Sequence, residues 1–309
     1  MNPRITKLLA NLALLSITFV WGATFTLTKE ALQQIAPLPF LALRFLLAAI
    51  ALSILAAASP TARRSFHRHA LQLGGLLGLL LFGAYVLQTI GLLYTTPATA
   101  GFLTGLSVVM VPLFAMPILH ITPGRRTWAA VLLAALGLAF LCGPGLLHLA
   151  IGDVLVLLCA VFIALQIIVI DKSGRNTDAL ALATIEIWVL ALSCTAASLW
   201  PGGTRWPAVH TWLQPSVAWA VILCAIPGTA LAYWGQNIFQ KFTSSAETAV
   251  IFAAEPVFAA GIAWMVLGEG LTVGMVTGCA LILVGMILAD PNLAQWRFRG
   301  RWRFRRTPP

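Results

Sequence analysis

Charge is what this chain has least of. Asp, Glu, Lys and Arg make up 9% of its 309 residues and hydrophobic types 60%, where a soluble chain carries about 25% charged residues. That excludes a soluble globular domain and defines an integral membrane protein. Among the few charges, acids are scarcer than bases, 9 against 19, for a formal net charge of +10. An excess of that sign suits nucleic acid or a membrane surface, and the placement of the charges decides between them.

Cysteine is sparse and unpatterned. Cys142, Cys159, Cys194, Cys224 and Cys279 all fall inside apolar runs with no CxxC pair, which reads as small packing residues rather than disulfides or metal ligands. No GxxxxGK[ST] is present, so ATP is not a direct driver, and HExxH is missing as well. Gly105-Leu106-Ser107 faintly resembles an intramembrane serine protease site, and His120 shares its span. Ser107 and His120 are nevertheless about 20 Å apart along a helix, beyond hydrogen-bond reach. A membrane-embedded enzyme is therefore the remote alternative, and neither metal nor cofactor is expected. A channel would need a ring of charges or a carbonyl-rich filter, and the sequence offers neither.

Long apolar runs fill the chain instead. The run from Leu8 to about Thr28 exceeds the 7 to 15 residues of a signal-peptide core and lacks a small-residue cleavage site, so it counts as the first span. Windows of about 20 residues give ten spans, roughly 8–28, 38–58, 71–93, 98–119, 127–146, 151–170, 179–199, 215–238, 246–267 and 271–289. The apolar blocks 71–119 and 215–267 are too long for single helices and turn back at Tyr94-Thr95-Thr96-Pro97 and Phe242-Thr243-Ser244-Ser245.

Those two turns are copies of each other. A shift of 148 residues lays YTTPATAGFLTG, from Tyr94, on FTSSAETAVIFA, from Phe242, and pairs Tyr85 with Tyr233, Gln88 with Gln236 and Gly137 with Gly285. Near the start of each half a shift of 142 pairs Asn11 with Asp153, Gly22 with Ala164 and Arg44 with Glu186. The chain reads as residues 1–147, a second version in 148–291, and a tail, 292–309.

Basic residues set the orientation. Arg4, Lys7, Arg63, Arg64, Arg68, Arg125, Arg126, Lys172, Arg175, Lys241 and the tail arginines fall on one side, and only Lys29 and Arg205 on the other. The positive-inside rule then puts both termini in the cytoplasm. Five spans per half is odd, so the second half enters from the opposite face. The fold class expected is all-α integral membrane, with ten transmembrane helices as two inverted five-helix repeats, the architecture of alternating access.

Small-xxx-small pairs mark close helix approach: Gly74 with Gly78, Gly274 with Gly278, and Gly101 with Gly105, whose repeat mates are Ala249 and Ala253. Spans 4 and 9 are therefore expected to pack at the centre. Pro112, Pro117, Pro227, Gly228 and Pro256 interrupt backbone bonding, either as hinges or as static kinks.

Three ionisable residues lie well inside spans: Arg44, Glu186 and Glu255. Each costs about 2.5 to 3.5 kcal/mol at a helix centre, which turns it toward the bundle interior or water. The depths of Arg44 and Glu186 differ by roughly 10 Å, which argues against a direct salt bridge. Glu255 is a candidate proton-coupling group or else a neutral acid bonded to a neighbouring helix. Tyr85 with Gln88, and Tyr233 with Gln236 and Asn237, recur at helical spacing in both halves, forming a pocket suited to a small amphipathic solute. Trp21 opens the WGA run of span 1, and Thr24, Thr26 and Thr28 beyond it either line a vestibule or bond their own backbone.

The tail alternates Trp296, Phe298, Trp302 and Phe304 with arginines. Stacking on nucleic acid is one reading. Directly after a last span, anionic lipid headgroups are the favoured partner, and no nucleic acid is expected.

WGATF in span 1, LALRFLLA around Arg44, LYTTPATAGFL, AAEPVFAAGIAWMVLGEGLT and GCALILVGMIL together resemble the EamA-type branch of the drug/metabolite transporter superfamily, over about residues 10–290. The resemblance implies ten helices in two inverted repeats and a central cavity drawn from both halves. It also implies export of amino acids, related metabolites or drugs across the cytoplasmic membrane. The residues placed in that cavity are Trp21, Tyr85, Gln88, Tyr233, Gln236, Asn237 and Glu255. One departure stands out: the family's GE after span 9, Gly268-Glu269, pairs with His120-Ile121 in the first half. Glu269 reads as a turn or helix-start residue.

Overall fold

The computed structural model describes residues 3–142, 150–200, 206–267 and 272–289. Gly268, Glu269, Arg205 and the tail lie outside the described residues, as does the side chain of Cys142. Helices account for the regular structure among them, as expected where lipid gives the backbone no hydrogen-bonding partner. The first half holds α1 (Pro3–Ala31), α2 (Pro37–Ala58), α3 (Pro60–Arg64), α4 (Arg68–Tyr94), α5 (Pro97–Gly105), α6 (Ser107–Leu119) and α7 (Arg125–Cys142). The second holds α8 (Ile151–Ser173), α9 (Ala179–Ser198), α10 (Val209–Trp212), α11 (Pro215–Ala225), α12 (Ala232–Phe239), α13 (Ser245–Phe252), α14 (Glu255–Leu267) and α15 (Val273–Ala289).

By length and composition, 7 helical stretches among the described residues can cross a membrane: Ile5–Ala31, Pro37–Ala58, Arg68–Tyr94, Thr99–Leu119, Ile151–Asn176, Ala179–Ser198 and Pro215–Phe242. Shorter pieces occupy the other three expected spans: α7, α13 with α14, and α15.

Local chemistry fixes the turns. Thr96 Oγ1 accepts from the backbone N–H of Thr99 at 3.1 Å and so starts α5. Its repeat mate Ser244 accepts from Glu247 N–H at 3.2 Å, and Glu247 Oε2 accepts from Ser244 N–H at 3.2 Å. Both halves thus begin the returning helix with a hydroxyl cap, and the second completes a capping box.

Expected spans 4 and 9 are each broken in the middle, at Leu106 and at Ala253–Ala254, and Leu106 is the repeat mate of Ala254. In the second half Pro256 supplies the cause, because its missing N–H leaves the Phe252 carbonyl unsatisfied just where α13 ends. The first half breaks beside Gly105 without a proline at the matching position, while Pro112 and Pro117 sit inside α6 without breaking it. Between α11 and α12, Ile226–Leu231 widens into a π-helical turn around Pro227. The Thr229 hydroxyl donates to the Cys224 carbonyl there at 2.7 Å.

Packing follows the duplication. α2 packs on α9 and α7 on α15, while α4 lies against α8 as α11 and α12 lie against α1. Where α7 crosses α15, a Cβ on Gly137 would stand 2.6 Å from the Gly278 carbonyl oxygen, and one on Gly285 2.9 Å from the Ala130 carbonyl oxygen. Gly285 is the repeat mate of Gly137, and Gly278 that of Ala130, so these are one contact met from either side. The Gly74 and Gly78 pair serves α4 against α9: a Cβ on Gly78 would lie 2.5 Å from the Glu186 carbonyl oxygen.

The two hairpin turns sit at opposite ends of α1. At its C-terminal end Lys29 donates to the carbonyls of Leu92 and Thr95, and Thr95 Oγ1 donates to Asp153, at the start of α8, at 2.6 Å. Near its N-terminal end Lys7 pairs with Glu247 at 2.8 Å. Asp171, at the far end of α8, accepts from Ser245 N–H at 3.0 Å. Lys7 and Lys29 are about 33 Å apart at helical rise, a bilayer's hydrocarbon thickness.

Candidate functional site: a central cavity shared by both halves

Two buried apolar clusters, one centred on α2, α9 and α11 and one on α6, α7 and α8, flank the middle of the bundle, and Trp21 packs against both. Between them lies a cavity of about 40 Å³. Its walls are lined in repeat-related pairs: Trp21 with Ile163, Thr24 with Gln166, Tyr85 with Tyr233, Gln88 with Gln236, Thr104 with Phe252, and Ser107 with Glu255. Ala84, Gly105 and Cys159 complete it. Gly105, Ser107, Phe252 and Glu255 all stand at the two helix breaks.

Each polar side chain is set by its helix. Tyr233 donates its hydroxyl to that of Tyr85 at 2.9 Å. The Trp21 ring packs on Tyr233 and Phe252, with centroids at 5.6 and 5.0 Å. Its indole N–H donates to the Gly228 carbonyl at 3.0 Å, within the π-helical turn. Gln88 donates to Thr104 Oγ1 at 3.1 Å. Gln236 donates to Gln166 at 3.1 Å and to Gln240 at 2.9 Å.

Glu255 is different. It opens α14, where the helix dipole favours an anion. Close approach of α1 fixes it: a Cβ on Gly22 would lie 2.9 Å from the Glu255 carbonyl oxygen, which gives the WGA run its glycine. The side chain is 8% exposed, and among the described residues its carboxylate has no hydrogen bond or ion pair.

Six of the seven residues expected in the cavity line it: Trp21, Tyr85, Gln88, Tyr233, Gln236 and Glu255. Asn237 does not, since one residue beyond Gln236 turns it about 100° around the helix; it donates instead to Glu186 Oε1 at 2.8 Å. Arg44 and Glu186 also stand outside the lining. Arg44 Nε donates to Thr229 Oγ1 at 3.1 Å, and its guanidinium lies 5.0 Å from the Tyr85 ring centroid and 5.1 Å from that of Phe45. No ion pair joins Arg44 to Glu186 among the described residues. A Cβ on Gly101 would lie 3.6 Å from Pro256, whereas one on Gly105 would lie 3.0 Å from Leu138 of α7. Ala249 and Ala253 are fully buried.

Gln166, Thr104 and Ser107 also line the cavity, and Gln240 and Thr229 bond groups beside it, although the sequence pattern does not place them there. Gln166 was within reach, as the mate of Thr24 under the 142-residue shift, and Gln240 as the i+4 neighbour of Gln236.

Fold and cavity together define a multi-pass, all-helical membrane protein with an internal duplication and a polar site between its halves. The chain belongs to the EamA-like transporter family, whose pattern matches residues 8–143 and again 150–289. An uncharacterized transporter of Archaeoglobus fulgidus is 31% identical over 93% of this chain and 87% of its own length. The uncharacterized transporter YyaM of Bacillus subtilis is 25% identical over 90% of this chain and 92% of its own. A solved structure described only as a crystal structure of a protein superimposes with a TM-score of 0.73 over 93% of this chain and 98% of its own, at 21% identity, a likeness of fold.

Proposed function

We propose that the protein is a secondary active transporter that exports small metabolites such as amino acids across the cytoplasmic membrane by alternating access. It is built as ten membrane helices in two inverted repeats, 1–147 and 148–291, with both termini cytoplasmic and the tail, 292–309, held against anionic headgroups. The observation that carries this reading is the cavity lined by repeat mates at two matched helix breaks. Such a site belongs equally to both halves and faces whichever side the halves open. The opposite placement of the two hairpin turns along α1 supports the inverted arrangement.

A second reading, export of cationic compounds, is favoured by the lining itself. Glu255 is its one charged residue, and Trp21, Tyr85, Tyr233 and Phe252 offer aromatic faces to a cation. Purified protein in proteoliposomes, screened with labelled amino acids and cationic drugs with and without a pH gradient, tests both. Wild type is expected to transport one class in a gradient-dependent manner, and Glu255→Gln to lose the gradient dependence while remaining folded. Equal rates in the two proteins remove Glu255 from the mechanism.

A further inference from the structure

From the cavity a chain of buried amides runs toward the Phe242–Ser245 turn. Gln236 bonds Gln166 and Gln240, Gln240 donates to the Ile167 carbonyl at 2.7 Å, and Thr243 Oγ1 donates to the Gln240 carbonyl at 3.2 Å. None of these four residues is more than 2% exposed. A membrane interior does not tolerate idle amides, since each must be kept paired in a medium without water. On the other side of the cavity the repeat mates of Gln166, Gln236 and Gln240 are Thr24, Gln88 and Leu92. The amide chain is therefore a property of one leg only.

Its far end is fastened. Arg175 donates from Nη1 to the Lys241 carbonyl at 2.7 Å, and from Nη2 to Asp171 Oδ1 at 2.8 Å and the Thr243 carbonyl at 3.2 Å. The second oxygen of Asp171 accepts from Ser245 N–H at 3.0 Å, and Lys241 Nζ donates to the Thr177 carbonyl at 2.6 Å. These bonds tie the end of α8 to the turn that covers Gln240 and Thr243. Charge-assisted bonds of this kind are the strong ones, yet they are all at the membrane edge, where water can replace them one by one.

We propose that Gln166, Gln236 and Gln240 form the inner leg of the solute route, shut in this conformation, and that Arg175 with Asp171 is the latch that shuts it. The amides bond one another while the leg is closed and become available to a hydrogen-bonding solute when the α12–α13 turn lifts. Gln240 is thereby a route residue beyond the cavity, and Arg175 and Asp171 are positioning residues. This rests on the transporter reading, but its test needs no solute.

The test is Gln240→Cys in the full chain, in right-side-out and inside-out vesicles, labelled with a membrane-impermeant maleimide. Peptide mass spectrometry separates position 240 from the native cysteines. Adding Arg175→Ala or Asp171→Asn is expected to speed labelling about tenfold or more, from the Lys7 face only, as loss of strong bonds shifts a closed equilibrium open. Lys29→Met, at the opposite turn, is expected to leave position 240 no faster. Unchanged labelling in either latch variant, labelling from the other face, or equal acceleration by Lys29→Met overturns the proposal. Failed transport by the wild type with the labelling pattern intact removes the transporter reading and not the latch.

Discussion

Tyr85 and Tyr233, repeat mates 148 residues apart, share a hydrogen bond between their hydroxyls of 2.9 Å. Equivalent residues touch only where the operation relating the halves passes between them, so this bond marks the centre of the molecule. Both rings are buried, Tyr85 8% and Tyr233 2% exposed. Either Tyr→Phe change alone removes the bond and leaves one hydroxyl without it. Each single variant is expected to lose about 1 kcal/mol of stability. The double variant is expected to lose less than the sum, measured by unfolding in detergent as a double-mutant cycle. Strict additivity would mean that the hydroxyls do not interact.

The α7–α15 crossing makes a sharper steric prediction. Gly137→Ala brings a methyl to about 2.6 Å from the Gly278 carbonyl oxygen and is expected to cost about 1 to 3 kcal/mol, the range for overpacking. Gly75→Ala, where nothing lies within 4 Å, is expected to be neutral. Comparison of midpoint temperatures in one detergent decides; equal midpoints would contradict this packing.

Much of this arrangement was legible in the sequence, because a bilayer lets only a few polar or helix-breaking residues through and each becomes a landmark. The repeat register, both hairpin turns and the Gly74 and Gly78 contact could all be read from such marks. The break at Ala253–Ala254 is announced by Pro256, but the one at Leu106 has no proline at the matching position, and hydropathy averages across a single unwound residue. The helical spacing of Asn237 from Tyr233 predicts a place in the cavity. Spacing places a residue on a face only to within a neighbour, and here Glu186 claimed it. The small polar residues Thr104 and Ser107 carried too weak a signal among many membrane threonines and serines.

Glu186 and Asn237 form a buried pair in which the acid accepts a hydrogen bond from the amide. Asn237 Nδ2 donates to Glu186 Oε1 at 2.8 Å, with Glu186 fully buried. Glu186→Gln keeps an oxygen for that bond and is expected to unfold near wild type. Glu186→Ala strands the amide and is expected to cost about 1 to 3 kcal/mol. If the two variants unfold alike, the bond carries no stability.

Alternating access requires one half to be the other turned over, and two exposed positions at the hairpin tips report on this directly. Tyr94 and Phe242 are repeat mates, 58% and 48% exposed, at opposite ends of α1. Tyr94→Cys and Phe242→Cys proteins, expressed in cells and treated with a membrane-impermeant thiol reagent before and after permeabilisation, are expected to react from opposite faces. Tyr94→Cys should react in intact cells and Phe242→Cys only once the interior is reached. Reaction of both from the same face would contradict the inverted arrangement and the alternating-access mechanism built on it.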